Sequence, residues 1–132
     1  MEINELFGTL QQSTIKSWRY HLKTNKKSIH DILDDFYKEI PELVDTLIEN
    51  YQGIYGIVDN YLNIIDDDNL DNISYFEELR DIVSDGYGLF DDSELISDLD
   101  DIQSLIDSTL YKLKNLTESK LDLSSYLKEC LE

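Results

Sequence analysis

Residues 21–53, HLKTNKKSIHDILDDFYKEIPELVDTLIENYQG, hold both histidines of the chain, and the way they are read decides the fold. Taken as one helix from Ser28 to about Tyr51, the stretch repeats its apolar residues at three- and four-residue steps. Ile29, Leu33, Phe36, Ile40, Leu43, Val44, Leu47 and Tyr51 make one stripe. At about 100° per residue, His30, Asp34, Asp45 and Glu49 share a different arc, centred roughly 140° from that stripe. The imidazole and the carboxylates therefore point away from the helix's own core. Pro41 lies inside the pattern, where it removes one hydrogen bond and crowds the carbonyl of Tyr37. The apolar period stays in phase from Phe36 to Leu47, so a kink near Tyr37 to Pro41 is expected rather than a break.

Spacing along the axis separates the polar residues into two pairs. His30 and Asp34 are one turn apart, as are Asp45 and Glu49, and either pair could share a metal ion. About 16 Å of helix lies between the pairs, so one chain cannot close one small site with all four. An antiparallel copy related by a two-fold axis would bring the first pair of one chain against the second pair of the other. That arrangement gives two equivalent sites, each split between subunits. Intrachain di-iron bundles instead place Glu three residues before His. Here Trp18 precedes His21 and Lys27 precedes His30, which moves a metal site out of the bundle core toward an interface. A chain with 29 Asp and Glu puts carboxylates at helical spacing by chance, and a solvated helix face is the plain alternative. Both histidines falling in register with two acidic pairs is less easily accidental.

The run of His21, nine residues to His30, four to Asp34, eleven to Asp45 and four to Glu49 resembles the ferroxidase signature of Dps-type mini-ferritins. The resemblance is closest over residues 14–53, and HDILDDFYKEIPELVDTLIENYQG especially is similar to phage-encoded Dps-like proteins. A weaker similarity covers DDIQSLIDSTLYKLKNL near residues 100–116. The resemblance implies a ferritin-like four-helix bundle in which His21, His30 and Asp34 of one subunit and Asp45 and Glu49 of its neighbour bind iron. It also implies Fe(II) oxidation by peroxide or oxygen, storage of the ferric mineral, and a homo-oligomer. A two-fold dimer would satisfy the ligand geometry, and a dodecamer is implied by the resemblance alone. Two positions differ from the family pattern. The gap from His21 to His30 is shorter than in most bacterial members. Leu22 stands where an aromatic usually follows the first histidine, with Trp18 one turn earlier.

The rest of the chain fits helical packing around this stretch. With 132 residues it is read as one domain, and five Gly and one Pro favour helices over a turn-rich β fold. Residues 3–23 read as a first helix with Ile3, Leu6, Phe7, Leu10, Trp18 and Leu22 facing the core and His21 in its last turn. Ser28 is the expected cap of the second helix, with Asp31 three residues on. Helices are expected at residues 73–84 and after Ser93 as its cap, the second with a stripe of Leu95, Leu99, Ile102, Ile106, Leu110 and Leu113. A last short helix is expected at about 121–131. Short connections favour an antiparallel bundle, whereas a Dps-like topology would cross over between the second and third helices.

Charge and cysteine usage bound the function. A formal charge of −18 argues against an electrostatic grip on nucleic acid, which needs Lys or Arg to displace phosphate counterions. Lys16, Arg19, Lys23, Lys26 and Lys27 form one small basic patch around a loop. Cys130 stands alone, so an intrachain disulfide and a cysteine-based zinc site are both excluded, and a free thiol fits a reducing compartment. No signal peptide and no apolar run near 18 residues is visible. A soluble protein of a bacterial cytoplasm or a phage-infected cell is expected. Asp67, Asn69, Asp71 and Glu78 partly match a calcium loop, but Asn72 replaces its glycine and Ser74 its aliphatic residue, so a capped acidic loop is the simpler reading. The leading alternative to iron chemistry is a non-enzymatic phage bundle, serving as a virion component or an acidic interaction protein. In the latter role it could mimic DNA.

Overall fold

The structure, a computed structural model, describes residues 1–62 and 70–117. It is an all-α bundle of four helices: α1 (Ile3–Lys23), α2 (Lys27–Tyr55), α3 (Asn72–Gly86) and α4 (Ser93–Asn115). A single 3-10 turn, Tyr87–Leu89, joins α3 to α4. The last short helix expected at 121–131 lies outside the described residues, as do Asp67 and Asn69 of the calcium-loop match.

The helix ends follow local chemistry, with corrections to two expected caps. At α1, Glu2 and Glu5 form a reciprocal capping box, in which the Glu2 N–H donates to Glu5 Oε2 at 3.3 Å. At α3, Asp71 accepts from the Ser74 N–H at 2.7 Å, the capped acidic loop of the simpler reading. Ser28 does not cap α2: the helix starts one residue earlier, at Lys27, and Lys26 occupies the cap without a side-chain bond. Ser93 is the first residue of α4, with Asp92 as its cap. α2 runs unbroken across Pro41 and ends at Gly56, whose φ of 98° suits a residue with no Cβ.

Neighbouring helices are all antiparallel. Phe7 of α1 meets Tyr51 of α2 edge to face at 5.3 Å, so the start of one lies by the end of the other. Asn50 bonds Asp98 and Tyr55 bonds Asp92, which sets the end of α2 beside the start of α4. Tyr20, near the end of α1, donates to the Leu70 carbonyl at 2.9 Å and packs on Tyr75, so α3 begins at the opposite end of the bundle. Gly86 then brings α3 back against Leu6. The chain thus leaves α2 at one end and enters α3 at the other, and α2 packs against α1 and α4 while α3 packs against α4 and α1. Up, down, down, up with one long crossover is the connectivity that ferritin-like bundles use. The crossover is seated on α1 at Leu62, whose N–H donates to the Asn4 carbonyl at 3.3 Å, and a Cβ at Gly8 would collide with the Leu62 carbonyl.

The core is built from the expected stripes of α2 and α4. Leu33, Phe36, Ile40, Val44 and Leu47 face Leu95, Leu99, Ile102, Ile106, Leu110 and Leu113, with Phe36 edge-on to Phe76 of α3 at 4.7 Å. The first helix departs from expectation. Leu6, Phe7 and Leu10 are buried, but Trp18 is 50% exposed and Leu22 65%. The buried side of α1 there is the four-residue series Ser13, Ser17 and His21. Its hydroxyls are satisfied locally: Ser13 donates to the Leu10 carbonyl and Ser17 to the Ser13 carbonyl, both at 2.6 Å. Small, self-satisfied side chains let α1 lie against its neighbours and leave its bulky residues outside.

Candidate metal half-site

His21 and His30 come together across the short turn between α1 and α2. Their rings stack with centroids 3.5 Å apart and planes 25° from parallel. His21 Nδ1 lies 2.8 Å from the His30 carbonyl, and His30 Nδ1 lies 3.0 Å from the His21 carbonyl. A carbonyl only accepts, so each Nδ1 carries a hydrogen and donates it. In the neutral ring the lone pair is then on Nε2. The two helix ends therefore hold both rings in one tautomer, with Nε2 as the available donor atom, the device by which metal-binding histidines are commonly oriented.

Asp34 faces this pair. Its Oδ1 is 3.9 Å from His21 Nε2. Its other oxygen, Oδ2, accepts from Lys38 Nζ at 2.8 Å, and the Tyr37 phenol also hydrogen-bonds the carboxylate. The lysine bond chiefly holds the Asp34 carboxyl below its ordinary range; burial opposes it, and a bond from Tyr37 adds to the lowering. The same contact raises the Tyr37 phenol and the Lys38 ammonium above theirs. Tyr37 also meets His21 edge-on at 5.1 Å and stacks on Trp18 at 6.2 Å. Neither Lys38 nor Tyr37 was singled out with the ligand pattern. Lys38 had a legible signal, since it stands four residues after Asp34 on the same helix.

Asp45 and Glu49 are elsewhere. Both are exposed on α2, roughly 16 Å or more along the axis from Asp34. Asp45 borders a shallow cavity of about 160 Å³ with Gln11 and Thr14 of α1 and Pro41, Val44 and Ile48 of α2. Among the described residues no three His, Cys, Asp or Glu side chains gather closely enough to hold a metal ion. His21, His30 and Asp34 offer donor types that suit a first-row divalent cation, two imidazole nitrogens and a carboxylate oxygen, but the three are not gathered around one point.

An exposed apolar strip borders the half-site. Ile15, Trp18 and Leu22 lie at helical steps on α1, all about half exposed or more. Lys16, Arg19, Lys23, Lys26 and Lys27 cluster at the half-site end of the α1–α2 pair, and Glu42, Asp45 and Glu49 lie toward the other end of α2. No helix among the described residues is long and apolar enough to cross a membrane.

Fold and site together define a helical bundle with one long crossover that carries an imidazole–carboxylate cluster at the α1–α2 turn, with His21 buried and Asp34 partly exposed. The chain belongs to the family of unknown function DUF5856, whose model matches residues 21–113, a span that begins at His21 and includes the whole cluster. No curated protein and no solved structure matches it.

Proposed function

We propose that the protein is a Dps-like mini-ferritin in which two copies meet across the α1–α2 face and bind Fe(II), the substrate, between them. The observation that carries this reading is the reciprocal bonding of His21 and His30, which commits both Nδ1 atoms to backbone carbonyls and leaves each Nε2 with its lone pair, that of His21 beside Asp34. Under a two-fold axis, Asp45 and Glu49 of the partner subunit would complete the site. The exposed strip of Ile15, Trp18 and Leu22 supplies apolar area for such a contact. The basic end of one α1–α2 pair would also meet the acidic end of the other.

In this scheme the imidazoles hold Fe(II), and the hard carboxylate oxygens favour the ferric product. Peroxide takes one electron from each of two ferrous ions and, with two protons, leaves as two waters; oxygen is the alternative oxidant. The assembled homo-oligomer, a dimer at least and a dodecamer in the fullest form of this reading, stores the product. The setting is the cytoplasm of a bacterium or phage-infected cell.

Fe(II) oxidation followed by ferric absorbance, in air and with peroxide, tests the proposal. Fast oxidation by the wild type, reduced to the buffer rate in His30→Ala at equal subunit concentration, is expected. Wild-type oxidation no faster than buffer with either oxidant overturns it. The charge of −18 would then favour a non-enzymatic acidic role, in a virion or as a DNA mimic, with salt-sensitive binding to a basic protein.

A further inference from the structure

We propose that the open groove between α2 and α4 binds a linear organic polycation of the polyamine class. This inference stands apart from the iron reading and uses none of its residues.

The groove encloses about 370 Å³, within the range of small-molecule sites. Its deeper lining is apolar, with Phe36 fully buried and Ile32, Leu43 and Leu105 half-buried. Small side chains on α4, Ser104, Ser108 and Thr109, leave the space open. Asp35, Glu39 and Asp101 are exposed along its rim, and among the described lining residues Lys112 is the one cation. Asp35 and Glu39 stand one turn apart, about 6 Å along α2. Asp101 lies toward the other end, because α2 and α4 are antiparallel. These acids do not converge: among the described residues no three such groups could hold a metal ion. Carboxylates strung along an apolar channel suit ammonium groups strung along methylenes, with each charge at the wet rim and the hydrocarbon on the apolar lining.

Thr109 is the polar group inside the groove. It is 3% exposed, yet among the described residues its hydroxyl has no hydrogen-bond partner, and the groove is the open space it borders. Thr9 and Thr46 instead turn their hydroxyls back to helix carbonyls four residues earlier, at 2.8 and 3.0 Å. A buried hydroxyl left unbonded destabilises the protein. An ammonium in the groove supplies the donor from which its oxygen accepts.

Calorimetric titration of the intact chain with spermidine tests the inference, at about 0.15 M salt, where loose attraction to the charge of −18 is screened. Wild type should bind a single spermidine per chain, and putrescine, with one ammonium fewer, more weakly. Glu39→Gln with Asp101→Asn should weaken spermidine binding about tenfold, roughly threefold for each exposed carboxylate. Glu78→Gln with Asp85→Asn removes the same charge from exposed positions of α3 and should stay within about twofold of wild type. Thr109→Val keeps the shape, removes the hydroxyl and should weaken binding about threefold. Equal weakening by the groove variant and the α3 variant overturns the inference, because general attraction to an acidic surface then explains the binding. Absence of binding by wild type overturns it as well. A dimer that Leu105→Glu separates, with spermidine affinity unmoved by the groove substitutions, gives the groove to a second copy and also overturns it.

Discussion

Two turns of α2 carry the same kind of sequence and lead different lives. His30 and Asp34 are four residues apart, as are Asp45 and Glu49, and all four lie on one outer arc of one helix. The first pair is built into the structure: His30 stacks on His21 of α1 and donates to its carbonyl, while Asp34 faces His21 Nε2 and is held by Lys38 and Tyr37. The second pair stands in solvent, with Asp45 at the rim of a shallow cavity. Spacing on a helix places side chains on a face, and the neighbouring helix decides what they meet. A residue pair that finishes its contacts within the chain helps to hold the fold together. A pair that does not is free to complete a site in a partner.

Damage to α2 should therefore scale with what each turn touches. The largest effect belongs to the buried side between the two pairs. Phe36→Ala removes the ring packed on Phe76, and urea unfolding should show a loss of about 3–5 kcal/mol. His30→Ala comes next. It abolishes a hydrogen bond and the stacked ring at the α1–α2 turn, and a loss of about 1–2 kcal/mol is expected by the same measurement. Third is the double variant Asp45→Asn with Glu49→Gln. Its unfolding midpoint should match wild type within about 0.5 kcal/mol, while Fe(II) oxidation falls to the buffer rate. If the double variant unfolds as early as His30→Ala, the contrast between the turns is lost. If it oxidises iron normally, the second pair leaves the proposed site.

The smallest effect is a titration. Tyr37 loses its proton only above the ordinary tyrosine range, near 10, chiefly because its phenol bonds the Asp34 carboxylate. A folded-state value above the unfolded one means that this contact stabilises the protein at lower pH and is lost as pH rises through the folded value. In Asp34→Asn, phenolate absorbance should show one tyrosine returning toward 10, with Tyr55 and Tyr87, raised by contacts with Asp92 and by burial beside Asp100, unmoved. Asp34 works in the opposite sense. Its carboxyl is depressed chiefly by Lys38, so its share of stability is present above 3.8 and lost as pH falls through the folded value.

The amphipathic stripes of α2 and α4 were legible, with Ile48 the buried residue of α2 outside the expected set, because burial of a continuous apolar face leaves the same period in the sequence whatever packs on it. α1 was less so. Its bulky residues Trp18 and Leu22 sit at plausible core steps, yet the buried positions are Ser13, Ser17 and His21. Hydroxyls that bond their own helix carbonyls hide their polarity, so a buried serine series carries no hydrophobic signal.

By itself, the sequence determined that the chain is helical, that His30, Asp34, Asp45 and Glu49 share one outer arc of its second helix, and that one chain cannot close one small site with all four. These follow from the 3.6-residue period and the rise per residue, which are local properties of the backbone. Tertiary structure decided the order of the helices around the bundle, the crossover past α1 and the exposure of Trp18. It also decided the tautomer of each histidine. Those depend on which groups of another segment arrive within about 3 Å, the reach of a hydrogen bond, and no local period encodes that arrival.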